Sequence, residues 1–220
     1  MNTIRRNQRS VTTWLALIII GAVLCLISPS TAEAAIAVDA TSWGTGSASP
    51  ITVPHTTGTG TNRLMLVGIS GYGDGVAVSG VTYNGNALLP VGTQDYGTWY
   101  RMWIYGRVAP DTGTHNVVVT FSTLPTSGAV VGVVTFTGVD QYDPLGTFVS
   151  NSGSSTLASV VVSSAAGELV FDTYMSSGTP TVGAPQTQRW NTMGGSGCYG
   201  AGSTQPGAAS VTMYWDIAPS

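Results

Sequence analysis

The sequence predicts an all-β protein, a single antiparallel β-sandwich of jelly-roll-like form that follows a cleaved signal peptide. After residue 34, short runs of β-branched and aromatic residues alternate with breaks rich in Gly, Ser, Thr, Asn and Pro. Such runs and breaks are the signal of short strands joined by turns. Helical periodicity is absent from the same part of the chain. Evenly spaced short strands favour a sandwich of packed antiparallel sheets over an α/β fold.

The first 34 residues have the layout of an export signal. Three arginines between positions 5 and 9 precede an uncharged apolar run from Trp14 to Ile27, and Ala32-Glu33-Ala34 is a small-x-small cleavage motif. The run is shorter than the roughly 20 residues that span a membrane. We expect a single mature domain, residues 35–220, that is secreted or displayed at the cell surface and leaves the membrane once processed. An uncleaved N-terminal anchor is the alternative.

Period-two alternation predicts strands along the whole mature chain. The predicted strands lie near 36–42, 49–55, 63–70, 77–83, 87–92, 98–108, 115–122, 129–138, 145–150, 157–163, 168–176, 186–191 and 209–217. In 209–217, Val211, Met213 and Trp215 share one face. The run 128–136 is apolar on both faces, which predicts a central strand. Asn84-Gly85 suits a two-residue hairpin turn.

Charge and cysteine content exclude some classes of partner. After the leader the chain has four arginines, no lysine and nine acidic residues, a net charge of −5. Binding to a phosphate backbone needs clustered basic residues, so no nucleic-acid partner is expected. Cys198 is the only cysteine after the leader, so no disulfide within the mature chain is possible. It is expected either to be buried or to link two chains.

Several segments carry a family resemblance. They are 62–70 (NRLMLVGIS), 81–85 (VTYNG), 108–110 (VAP) with 113–117 (GTHNV), 136–141 (FTGVDQ) with 144–145 (PL), 167–170 (GELV) and 186–190 (QTQRW). In this order they resemble an exported β-sandwich module that occurs singly or in tandem in large bacterial surface proteins. The resemblance covers about 36–217. It implies a structural or adhesive role and supplies no catalytic residues.

One departure from that family motivates a hypothesis of self-assembly. Family members usually have a further apolar strand after the one corresponding to 209–217, whereas here Ala218-Pro219-Ser220 follow. A sheet without its closing strand has an open edge that accepts a partner strand. The expected donor is the apolar, β-prone N-terminal segment of another copy, and the contact would build a filament. Its residues are Ala35, Ile36, Ala37, Val38, Asp39, Ala40 and Thr41.

The strand 98–108 suggests an alternative function in carbohydrate binding. One of its faces presents Trp99, Arg101, Trp103, Tyr105 and Arg107. If exposed, the rings would stack on sugars and the guanidinium groups would donate hydrogen bonds to hydroxyls. The competing interpretation places these rings between sheets, because Trp is usually well buried.

Metal binding and catalysis have weaker support. Asp140 and Asp143 are the best candidate pair for a loop-bound Ca²⁺, although Asp is also a common turn residue. Glu168 is the only glutamate after the leader, which rules out a paired-glutamate glycosidase. No G-x-S-x-G motif is complete, and His55 and His115 lack cysteine partners at zinc spacing. The sequence therefore predicts a protein that is not an enzyme and needs no cofactor.

Overall fold

The structure, a computed structural model, describes residues 1–5 and 35–217, and every regular element in these residues is a β-strand. The strands are β1 (Asn2–Ile4), β2 (Ala37–Gly46), β3 (Ile51–Thr57), β4 (Leu64–Tyr72), β5 (Ala77–Tyr83), β6 (Asn86–Ala87), β7 (Leu89–Tyr96), β8 (Tyr100–Val108), β9 (Gly113–Thr123), β10 (Ala129–Thr137), β11 (Leu157–Val162), β12 (Leu169–Ser176), β13 (Pro180–Val182), β14 (Thr187–Gly195), β15 (Cys198–Pro206) and β16 (Val211–Ile217). The predicted leader lies outside the described residues except for 1–5.

The strands form four antiparallel sheets. Sheet I has the strand order β3-β9-β5-β6 and sheet II the order β2-β10-β4-β8-β7. Sheet III has the order β1-β12-β15-β14 and sheet IV the order β11-β16-β13. The predicted all-β sandwich of packed antiparallel sheets is thus confirmed, with four sheets where two were expected.

Three apolar seams show how the sheets are layered. Met65, Val67 and Ile69 of β4 pack with strands of sheet I, whereas Leu64 and Leu66 pack with Phe171 and Trp190 of sheet III. Sheet II is therefore covered on both faces. The other face of sheet III meets sheet IV, through clusters around Met213 and Trp215.

The middle position of sheet II follows from its sequence. β10 lies between β2 and β4, and its residues from Ala129 to Phe136 are all buried, as the doubly apolar pattern predicts. The Asn84-Gly85 turn is also confirmed, with φ of 49° and 76° between the paired residues Tyr83 and Asn86. β16 buries Val211, Met213 and Trp215 as expected. It is also the central strand of sheet IV, paired with β11 on one side and, from Trp215 to Ile217, with β13 on the other, so the open edge expected beside 209–217 is covered at that end.

Small residues set the distance between sheets II and III. The indole of Trp190, on β14, lies across Gly202 of β15 and reaches Gly132 in the middle of β10. A Cβ at Gly132 would lie 2.1 Å from the indole Cε2, and one at Gly202 would lie 2.2 Å from Cη2. The close approach of the two sheets therefore requires glycine at both positions.

Candidate strand-binding site

Sheet III contains a strand-shaped slot that holds residues 2–4. On one side of this slot, β1 pairs antiparallel with β12, so that Asn2 is opposite Phe171 and Ile4 is opposite Leu169. On the other side it bonds to the segment 140–149. The Arg5 amide donates to the Pro144 carbonyl (2.9 Å), and the amides of Gly146 (2.6 Å) and Val149 (2.8 Å) donate to the carbonyls of Thr3 and Met1. We call the space between β12 and 140–149 the strand slot.

The strand slot buries its occupant almost completely. Asn2, Thr3 and Ile4 are each at most 2% exposed. Ile4 belongs to the apolar seam between sheets II and III and packs near Leu145 and Leu169. Thr3 donates to the Ser163 carbonyl at 3.0 Å. A strand in this position gains main-chain hydrogen bonds on both sides and a buried apolar anchor, the two requirements of strand addition.

The present occupant fits the strand slot incompletely. The Oδ1 atom of Asn2 is buried and has no hydrogen-bond partner among the described residues. A buried polar atom without a partner costs about 1–3 kcal/mol. An apolar side chain at this position would remove that cost. The slot thus favours an apolar residue at the position of Asn2, as it already holds one at Ile4.

The predicted assembly strand lies at the edge of its own sheet II. Ala37 and Val38 pair with Thr137 and Phe136 of β10, and a register shift then separates them from the pairs that run from Ala40 to Gly46. Residues 35 to 38 alternate between exposed and half-buried, so Ile36 and Val38 are only half-covered. Asp39, at the shift, accepts from Thr135 Oγ1 (2.9 Å) and the Gly58 amide (2.8 Å). The assembly strand is thus divided into a loosely covered end and a firmly paired part.

The exposed ladder that a carbohydrate site on strand 98–108 would require is not formed. Trp103 is 9% exposed and belongs to the seam between sheets I and II, and Tyr105 packs against the same cluster. Arg101 bridges to Asp95 at 2.6 Å, and Arg107 donates to the Ala87 carbonyl at 3.0 Å. The competing interpretation, rings between sheets, is the correct one for Trp103 and Tyr105. The reason is that sheet I covers this face of β8.

Trp99 instead belongs to an exposed aromatic cluster at one end of sheet II. It is 47% exposed, and its ring lies edge-on to Tyr72 with centroids 6.0 Å apart. Tyr72 stacks on Tyr100 at 4.5 Å, and Tyr96 lies 6.3 Å from Tyr100. We call these four residues the aromatic platform. Tyr96 and Tyr100 also line a cavity of about 650 Å³.

The candidate calcium pair is engaged within the protein. Asp140 Oδ1 accepts from the amides of Tyr142 (2.7 Å) and Asp143 (3.2 Å), as in an ordinary turn. The Asp143 carboxylate pairs with Arg5. Among the described residues no three His, Cys, Asp or Glu side chains are grouped as metal ligands would be.

The structure brings together one serine–histidine pair that the sequence did not indicate. Thr135 Oγ1 donates to Asp39, so it accepts from His55 Nε2 (3.2 Å), and His55 Nδ1 accepts from Ser42 Oγ (2.8 Å). Burial lowers the pKa of His55 to about 4, against the opposing effect of the Asp39 charge. The imidazole is 2% exposed. This series of hydrogen bonds therefore connects β2, β3 and β10. Because the imidazole is buried among them, a substrate cannot reach it.

A second buried polar network joins sheets III and IV. Asp172 is fully buried and accepts from Ser203 Oγ (2.8 Å) and from Trp215 Nε1 (2.8 Å). Burial raises the pKa of Asp172 to about 6, and the hydrogen bonds from Ser203 and Trp215 limit the rise.

Cys198 is buried, which is one of the two outcomes that the sequence analysis expected for it. Burial raises the pKa of its thiol to about 12.

No protein family, curated protein or solved structure matches this chain. In the described residues no helix is long and apolar enough to cross a membrane. Function must therefore be inferred from the slot, the cavity and the platform. The sequence missed the slot because its occupant lies inside the predicted leader. It missed the platform because Tyr72, at the end of β4, is distant in sequence from Tyr96, Trp99 and Tyr100, which share the β7–β8 hairpin.

Proposed function

We propose that this protein is an exported structural or adhesive subunit that assembles with copies of itself by strand complementation. The observation that supports the proposal is the strand slot, which is hydrogen-bonded along both sides and buries its occupant. Its occupant, residues 2–4, belongs to the predicted leader. The mature protein would therefore carry the slot without its own strand.

Export would prevent residues 1–5 from occupying the strand slot. The positively charged start of a leader stays on the cytoplasmic side of the membrane while the following domain is translocated. Cleavage near Ala35 then separates the two permanently. In the exported protein, Leu169 to Phe171 of β12 and the inner edge of 140–149 would lack partners. Unpaired buried backbone groups are costly, so an incoming strand would be strongly favoured.

The loose end of β2 from a second copy is the best-matched donor. Ile36-Ala37-Val38 places a small residue between two apolar ones, whereas Asn2-Thr3-Ile4 leaves Asn2 Oδ1 without a partner. Ile36 and Val38 would pass from half-buried to buried, which is worth about 1 kcal/mol each. Leaving the home sheet costs the Ala37 and Val38 pairs and the packing of Ile36 and Val38 against the seam between sheets II and III, while the shift at Asp39 leaves Ala40 to Gly46 in place.

Transfer of this end from each copy to the next would be a head-to-tail contact. Donor and acceptor surfaces differ, so the contact is heterologous, and each added copy presents a fresh donor and a fresh acceptor. The expected product is an open chain of subunits.

Gly146 provides a direct test in the mature protein starting at Ala35. A Cβ at this position would point at Thr3, with the Cβ of Thr3 only 3.0 Å away, so Gly146→Phe should fill the strand slot. Mass photometry and negative-stain electron microscopy should show chains for the unsubstituted protein and monomers for Gly146→Phe. Gly153→Phe is the matched control, because a Cβ there meets nothing within 4 Å, and it should assemble normally.

A second variant separates the donor from the acceptor. Mature protein starting at Ala40 keeps most of β2 and should remain monomeric, yet mixing it with full mature protein should cap growing chains. Assembly of Gly146→Phe to the same extent as the unsubstituted protein would refute the proposal. A monomeric unsubstituted mature protein would refute it as well.

A further inference from the structure

We infer that the cavity beside the aromatic platform binds an uncharged carbohydrate. The cavity lies where β1 begins, at Met1, between the β7–β8 hairpin, the connection 150–155 and the Thr173–Ser176 part of β12. A donor strand in the register described above would place Ala35 at the position of Met1, at the cavity rim. The cavity would therefore stay open in an assembled chain, and this inference does not depend on the assembly.

The size of the cavity suits a small ligand or one unit of a polymer. Its volume is about 650 Å³. Ligand sites typically occupy about 300–1,000 Å³. The cavity is open to solvent along the exposed connection, since every residue from Ser150 to Leu157 is exposed. A polymer would therefore be able to enter and leave along its length.

One wall of the cavity is aromatic. Tyr96 is 46% exposed, and the Tyr100 ring beside it is held in place by stacking on Tyr72. Trp99 packs edge-on against Tyr72 and does not itself line the cavity. Rigid, half-exposed rings present flat apolar faces with a hydroxyl or indole N–H at one end. The apolar face of a pyranose ring matches such a surface.

A second wall of the cavity is polar and uncharged. The connection supplies four serines and Asn151, and Ser150 Oγ donates to Gln94 Oε1 at 2.6 Å, which ties the connection to β7. Hydroxyl and amide groups both donate and accept hydrogen bonds, as sugar hydroxyls do. The aromatic and polar walls together therefore match the two kinds of surface that a sugar presents.

Charge restricts the ligand further. Asp95 is the only acidic or basic side chain that lines the cavity in the described part of the chain, and it is already paired with Arg101 at 2.6 Å. An anionic or cationic ligand would find no unpaired side chain of opposite charge. The chemistry therefore favours a neutral sugar over a uronic acid, a phosphorylated sugar or a charged peptide.

Affinity electrophoresis of the mature protein through gels with neutral polysaccharides (β-glucan, mannan, xylan and galactan) tests the inference. At least one polymer should retard the protein. Tyr96→Ala and Tyr100→Ala, which remove the two tyrosines that line the cavity, should each weaken retardation about tenfold, since aromatic anchors dominate such contacts. Trp43→Ala is the matched control, because Trp43 is 54% exposed but does not line the cavity.

Circular dichroism and thermal unfolding should show that all three variants remain folded. Retardation by none of the four polymers would overturn the inference. Equal losses in Trp43→Ala and the two platform variants would overturn it too. A crystal structure of the mature assembly with a peptide strand in the cavity would assign the cavity to the assembly contact instead.

Discussion

At the scale of single residues, two buried ionisable groups oppose each other in their effect on stability. Asp172 binds a proton more tightly in the folded state, where its pKa is about 6, than in the unfolded state, where its pKa has the ordinary value of 3.8. Its contribution to the free energy of unfolding therefore falls as pH rises from about 4 to 6. His55 binds a proton less tightly when folded, with a pKa of about 4 against 6.5. Its contribution falls as pH drops from 6.5 to 4.

The pH-dependent contributions of these two groups to the free energy of unfolding should nearly cancel in the unsubstituted protein. Each shift of about two units corresponds to roughly 3 kcal/mol, with opposite signs over almost the same pH range. Urea unfolding of Asp172→Asn should show stability falling by up to about 3 kcal/mol from pH 6.5 to 4, relative to its value at pH 7. His55→Gln should show stability rising over the same range. Parallel pH profiles for the two variants would contradict this account.

At the scale of elements, the packing of β10 against β14 depends on the missing side chain of Gly132. A methyl group there would overlap the Trp190 indole, which is itself buried between two sheets. Overpacking of a rigid core costs about 1–3 kcal/mol. Gly132→Ala should therefore lower the free energy of unfolding by about 3 kcal/mol in chemical denaturation.

Gly80 provides the matched control for that experiment. It also lies in a strand, β5, but a Cβ there meets nothing within 4 Å. Gly80→Ala should change stability by less than about 0.5 kcal/mol. Replacing Trp190 by Leu in the Gly132→Ala background should recover part of the loss. Equal effects of the two glycine substitutions would show that the indole does not set the sheet separation.

The elements that the sequence revealed are those whose pattern is local. β10 and β16 could be predicted because their apolar residues, continuous in β10 and alternating in β16, indicate which faces are buried. β15 was not predicted, because Gly200 and Gly202 lower its apparent β-propensity. Those glycines are needed by contacts far away in sequence, with Val130 and Trp190. The sequence alone cannot reveal that a glycine is required at these positions, because the residues that pack against them are known only from the structure.

At the scale of the whole molecule, the sequence predicted the class of fold but not the number of layers. The side of β12 that carries Asp172 and Tyr174 has the polar composition of a solvent-facing surface. Instead it is covered by sheet IV, and its polar atoms are satisfied by Ser203 and Trp215. The two-sided burial of sheets II and III follows from this arrangement. The burial of both faces of these sheets accounts for how few charged residues lie after residue 34, because charged side chains are rarely buried without a partner.

The position of β1 has a practical consequence for anyone preparing this protein. If the whole chain is made in a host's cytoplasm with its first residues retained, those residues can plug the groove beside β12 in every molecule. Such a sample would be uniform in size and would conceal any tendency to polymerise. If the protein is exported and cleaved as we propose, material that begins near Ala35 would reveal whether it polymerises.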